Sequence, residues 1–101
     1  MMTITPEQKS QIERICSDKS VARLAVFGSR ARGQESVSSD LDLLIEFVPG
    51  HAPGLLALAK LAESFSIVFG GLPVDLRTPR DLSKHFREDA ARSAEVIFAA
   101  R

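Results

Sequence analysis

From Asp40 to Phe47 the chain alternates strictly between two kinds of position. Leu41, Leu43, Ile45 and Phe47 alternate with Asp40, Asp42, Leu44 and Glu46. Successive side chains of a strand point to opposite faces, so this period of two predicts a strand over Asp40–Val48. One face is apolar and the other carries carboxylates. Such a strand cannot stand alone. It needs a sheet around it, an apolar layer against one face, and water or a charged ligand against the other.

The rest of the sequence supplies candidates for both. Thr5 is a plausible N-cap, Pro6 suits the first helical position, and Gln8 completes a capping-box pattern, which predicts a helix ending near Ser17 to Lys19. Ile12, Ile15 and Cys16 fall on its core-facing side. The apolar run Val21–Phe27 reads as a buried strand that stops at Gly28-Ser29. A short helix is expected over Ser29–Arg32, closed by Gly33, followed by a polar loop to Ser39. Pro49 to Gly54 is a turn. Leu55–Phe69 reads as a helix with Leu55, Leu58, Ala62, Phe65 and Phe69 on one stripe, ended by Gly70-Gly71. Leu72–Arg77 is a third strand, with Val74 and Leu76 facing one way and Asp75 and Arg77 the other. Thr78-Pro79 opens a final helical region whose buried stripe would be Ala90, Ala94, Ile97 and Phe98. The order α, β, short α, β, α, β, α implies an α/β (α+β) fold with helices against one sheet face.

Length and composition narrow the function. A chain of 101 residues fits one domain spanning 1–101. Lysine plus arginine equals aspartate plus glutamate, 13 each, so the net charge is zero and direct binding to duplex nucleic acid through a broad basic surface is not expected. The one cysteine, Cys16, excludes an intramolecular disulfide and the usual zinc clusters. No apolar stretch approaches the roughly 20 residues of a membrane span, and the start lacks a signal-peptide pattern. The expectation is a soluble cytoplasmic protein without a membrane partner.

Three features carry possible chemistry. Gly28-Ser29 lies between a strand and a helix, where glycine permits close backbone approach and a helix N-terminus favours phosphate. Asp40-Leu41-Asp42 places two carboxylates side by side on one strand face. Their repulsion is relieved by a positive group, and a hard divalent cation suits carboxylate oxygens together with substrate phosphates. Asp75 is an aspartate inside a short apolar strand, where β propensity and burial both disfavour it. It would join the acidic pair if its strand lies next to the second one.

Together these residues resemble a known signature. Gly28-Ser29, ten intervening residues and Asp40-Leu41-Asp42 are similar to the motif of the DNA polymerase β-type nucleotidyltransferase superfamily. Gly28-Ser29-Arg30-Ala31-Arg32-Gly33 with Ser39-Asp40-Leu41-Asp42-Leu43 resembles its minimal nucleotidyltransferase branch, and Val74-Asp75-Leu76 matches the place of that family's third carboxylate. The resemblance implies a small mixed sheet with flanking helices. It implies that Asp40, Asp42 and Asp75 hold Mg²⁺, two ions in the family's mechanism, and that Gly28, Ser29 and Arg32 bind the nucleoside triphosphate. Asp75 would also help to deprotonate the acceptor hydroxyl. Small stand-alone members are often antitoxins beside HEPN-family toxins, and transfer AMP from ATP to a toxin tyrosine. The resemblance therefore implies an ATP-dependent protein adenylyltransferase partnered by a HEPN toxin. A non-catalytic antitoxin that masks its toxin is the alternative, and a small-molecule nucleotidyltransferase ranks below both.

The remaining polar residues read more plainly. Arg30 is as well explained by a solvated helix face as by phosphate contact. Glu46 shares a face with Asp42 but lies farther along the strand. His51 and His85 lack any metal-ligand spacing and read as surface residues, and Cys16 reads as core.

Overall fold

The computed structural model describes residues 3–27, 41–81 and 94–100. Helix α1 spans Pro6–Asp18, and strands β1 and β2 span Val21–Phe27 and Leu41–Phe47. Helix α2 spans Leu55–Val68, β3 spans Val74–Arg77, a 3₁₀ turn covers Pro79–Asp81, and β4 spans Glu95–Ala99. The four strands form one mixed sheet in the order β3-β2-β1-β4. β1 is antiparallel to both β2 and β4, whereas β2 and β3 are parallel.

Local chemistry explains the helix ends. The Gln8 backbone N–H donates to Thr5 Oγ1 at 3.1 Å, and the Thr5 N–H donates to Gln8 Oε1 at 3.0 Å. This reciprocal capping box satisfies two donors that the first turn of α1 would otherwise leave open. At the other end of the fold, Gly70 and Gly71 have φ of 74° and 89°, a left-handed region that favours glycine. They turn the chain out of α2. The Gly71 N–H then reaches the Ser66 carbonyl at 2.8 Å, and Ser66 Oγ donates to the Leu72 carbonyl at 2.7 Å.

Both helices lie against the same apolar layer. Ile12 and Cys16 from α1, and Leu61 and Phe65 from α2, pack in one cluster with Leu24 and Val26 of β1 and Leu41, Leu43 and Ile45 of β2. The alternation of β2 is realised as expected: its odd-numbered residues enter this core, while Asp42, Leu44 and Glu46 take the other face. A second cluster, of Phe27 and Leu44 with Ala94 packed against it, occupies that other face.

The expectations fail at two described places. Ala94, Ile97 and Phe98 were expected on a helical stripe, but Glu95–Ala99 is the edge strand β4. The cause lies in its register. Leu24 pairs with Phe98 and Ala25 with Val96, so Ile97 is an extra residue in the ladder. This irregularity lets adjacent Ile97 and Phe98 both pack against the helix-covered core, which erases the period of two. Val96, Ile97 and Phe98 are also β-branched or aromatic, a composition suited to a pleated surface. The second failure is Leu55, which is 87% exposed rather than part of the buried stripe of α2. That stripe begins one turn later, at Leu58. The expected short helix over Ser29–Arg32 and the stripe position Ala90 lie outside the described residues.

Candidate active site

Two of the expected site residues meet through the sheet. In the parallel β2–β3 ladder, Leu41 pairs with Val74, Asp42 with Asp75, and Leu43 with Leu76. Val74 and Leu76 pack toward the helix-covered core. Asp42 and Asp75 therefore share the opposite face, at directly neighbouring positions on strands about 5 Å apart. A hydrogen bond from the Leu41 N–H to the Pro73 carbonyl, 2.8 Å, extends the ladder at this end. The juxtaposition arises from two chain segments more than thirty residues apart in sequence.

Both carboxylates are half-buried, and among the described residues no polar or charged side chain is fully buried. Like charges opposite one another on neighbouring strands are destabilising. The Arg77 side chain offsets part of that repulsion. Its Nε lies 3.1 Å from Asp75 Oδ1 and 3.2 Å from Oδ2, so one N–H spans both oxygens. Arg77 stands two residues beyond Asp75 and hence on the same face of β3. The sequence pattern put Arg77 on this face without assigning it to the site. The signal was the Asp-x-Arg spacing on a strand, which brings the two side chains together.

Asp42 and Asp75 supply only oxygen donors, the set that a hard divalent cation takes. Among the described residues no third His, Cys, Asp or Glu joins them in a cluster of metal-binding size. Asp40, expected beside Asp42 in the Asp-x-Asp pair, lies outside the described residues, as do Gly28, Ser29 and Arg32. Glu46, on the same face, is committed elsewhere: it pairs with Arg23 of β1 at 3.4 Å. His51 is exposed in the turn after β2. Cys16 is fully buried in the core, and burial pushes its thiol up to about 12, so it takes no part in thiolate chemistry near neutrality.

The described residues thus form a mixed four-stranded sheet with two helices on one face and neighbouring aspartates on the other. Residues 9–97 match the family model for the nucleotidyltransferase domain, and the chain belongs to that family. The protein adenylyltransferase MntA of Thermococcus cleftensis is 32% identical over 95 residues, which cover 94% of this chain and 87% of that protein. A solved structure described as a minimal nucleotidyltransferase is 34% identical, covers 88% of each chain, and superposes with a TM-score of 0.73. The same fold occurs in a toxin–antitoxin complex crystallised with AMP-PNP. That chain is 18% identical with a TM-score of 0.73, and the match covers 92% of this chain and 74% of that one. No helix among the described residues is long and apolar enough to cross a membrane.

Proposed function

We propose that this nucleotidyltransferase is an ATP-dependent protein adenylyltransferase that acts as an antitoxin, placing AMP on a tyrosine hydroxyl of a HEPN-family toxin in the cytoplasm. The observation that carries the reading is the in-register pair Asp42–Asp75 on the sheet face opposite the two helices. The name of the Thermococcus relative and the nucleotide analogue in the toxin–antitoxin complex support the donor and the kind of acceptor.

In the reaction, the acceptor oxygen attacks the α-phosphorus of ATP. A new O–P bond forms, the bond to the β-phosphate oxygen breaks, and pyrophosphate leaves. The hydroxyl proton would pass to a carboxylate, a role we assign to Asp75. Asp42 and Asp75, together with Asp40, would hold Mg²⁺, whose chemistry when bound would be to offset charge on the phosphates. Gly28, Ser29 and Arg32 would bind the triphosphate.

The test is intact-mass analysis of the cognate toxin after incubation with this protein, ATP and magnesium. The expected result is a gain of one AMP unit or a multiple, lost with Asp42→Asn. A toxin silenced in a stable complex without any mass change would overturn the catalytic reading in favour of masking.

A further inference from the structure

We propose that Arg77 is a positioning residue that sets the cation preference of the site by fixing how Asp75 can ligate. The inference rests on the reading of Asp42 and Asp75 as metal-holding carboxylates. Its own observation is the placement of Arg77 Nε, 3.1 and 3.2 Å from the two oxygens of Asp75. A donor almost equidistant from both oxygens lies astride the carboxylate, along the direction from which a cation would engage both at once. With that approach taken, Asp75 offers a cation one oxygen at a time, through its outer lone pairs.

This distinction separates two common ions. Magnesium requires near-ideal octahedral geometry at short distances and keeps several waters, so a carboxylate giving one oxygen suits it. Calcium is larger and accepts carboxylates through both oxygens in flexible, higher-coordinate shells. Arg77 therefore works against calcium more than against magnesium. It also holds the Asp75 carboxylate plane fixed from within the same strand, with both side chains only partly exposed, 47% for Arg77 and 38% for Asp75. A neutral residue at position 77 removes a positive charge, which raises affinity for either ion. It also opens the two-oxygen approach, which favours calcium alone. The predicted signature is thus a change in the ratio of affinities and not merely in their level.

The experiment uses the full chain without nucleotide. Bound Mn²⁺ is followed by electron paramagnetic resonance and displaced by Ca²⁺ or Mg²⁺ in wild type, Arg77→Gln, Asp42→Asn and Asp75→Asn. Arg77→Gln is expected to raise the Ca²⁺/Mg²⁺ affinity ratio on the order of tenfold. Both aspartate variants should bind Mn²⁺ markedly less. If they bind it as well as wild type, the metal-site reading itself fails. If they lose Mn²⁺ while Arg77→Gln leaves the ratio unchanged or lowers it, only the role of Arg77 is overturned. Should Arg77→Gln fail to fold, Arg77→Lys retains the charge but not the rigid planar N–H, and a raised ratio is expected from it as well.

Discussion

The two faces of β2 are built from one run of seven residues and obey opposite rules. On the helix-covered face Leu41, Leu43 and Ile45 are each 0% exposed and belong to one apolar cluster. On the other face Asp42 stands beside Asp75, Glu46 pairs with Arg23, and Leu44 between them joins the small apolar cluster with Phe27. The first face contributes through the area it removes from water, and any well-fitting apolar residues would serve. The second keeps like charges together at a cost in stability, which is the pattern expected where charge serves chemistry. Since side chains on opposite faces share no partners, damage to one face should leave the property carried by the other intact.

Asp42→Asn is the sharpest way to break that separation. Nucleotidyl transfer should fall by at least about a hundredfold, in line with losses on disturbing metal-supporting groups. The melting temperature should change little, because the substitution keeps the side chain's size and leaves the helix-covered core untouched. Thermal melting and intact-mass assay of one preparation decide the matter. A large drop in melting temperature would show that the open face also holds the fold together.

Phe65→Ala is the converse. Phe65 is 0% exposed and lies in the cluster that joins α2 to the sheet. Its truncation should cost about 3–5 kcal/mol, read from urea unfolding. That approaches the whole stability of many domains of this size. Protein that remains folded at low temperature should still bind Mn²⁺, because the Asp42–Asp75 register belongs to the backbone ladder.

The faces also differ in how far the sequence revealed them. The alternation in β2 is local and broken only at Leu44, so the orientation of Asp42 followed from its neighbours. The capping box at Thr5 and the glycine pair after α2 were legible for the same reason, since each depends on residues a few positions apart. The meeting of Asp42 with Asp75 is non-local. Nothing within either strand states that they are adjacent, parallel and in register. The family resemblance suggested the grouping, and the ladder gives it a position. β4 was misread because its extra residue, Ile97, broke the period of two and left apolar residues at helical spacing. Leu55 was misread because periodicity marks the side of a helix but not where along its axis the covering layer begins. Arg77 was seen on the right face, but its contact with both oxygens of Asp75 depends on a side-chain conformation that spacing does not specify.

Cys16 sharpens the contrast from inside the core. Burial raises its thiol from 9.0 to about 12, whereas in the unfolded chain it titrates near the lower value. As pH climbs above 9 the unfolded state loses this proton first. The thiol's contribution to stability is therefore whole below about pH 9 and disappears as pH approaches 12. Urea midpoints measured from pH 8 to 11 should decline, and Cys16→Ala should flatten that part of the decline. At pH 8 the native protein should resist an aromatic disulfide reagent until denaturant is added. Rapid reaction without denaturant would mean that the layer under α1 opens readily.

The smallest effect is expected from an ion pair that shares Asp42's face without joining its site. Arg23 and Glu46 face each other across β1 and β2 at 3.4 Å, with side chains 47% and 40% exposed. Water competes for both groups, and holding two long side chains in one geometry opposes the attraction. A double-mutant cycle of Arg23→Ala and Glu46→Ala should give a coupling below about 1 kcal/mol. Raising salt to about 1 M, where the screening length is roughly 3 Å, should bring it close to zero. Such a result would leave the stability of this face to the apolar cluster of Phe27 and Leu44 and not to its charged pairs, as the comparison requires. A coupling of about 2 kcal/mol or more that survives salt would show that pair to be well shielded from water. The same face would then stiffen the sheet beneath Asp42 as well as present it, and the clean division between the two sides of β2 would no longer hold.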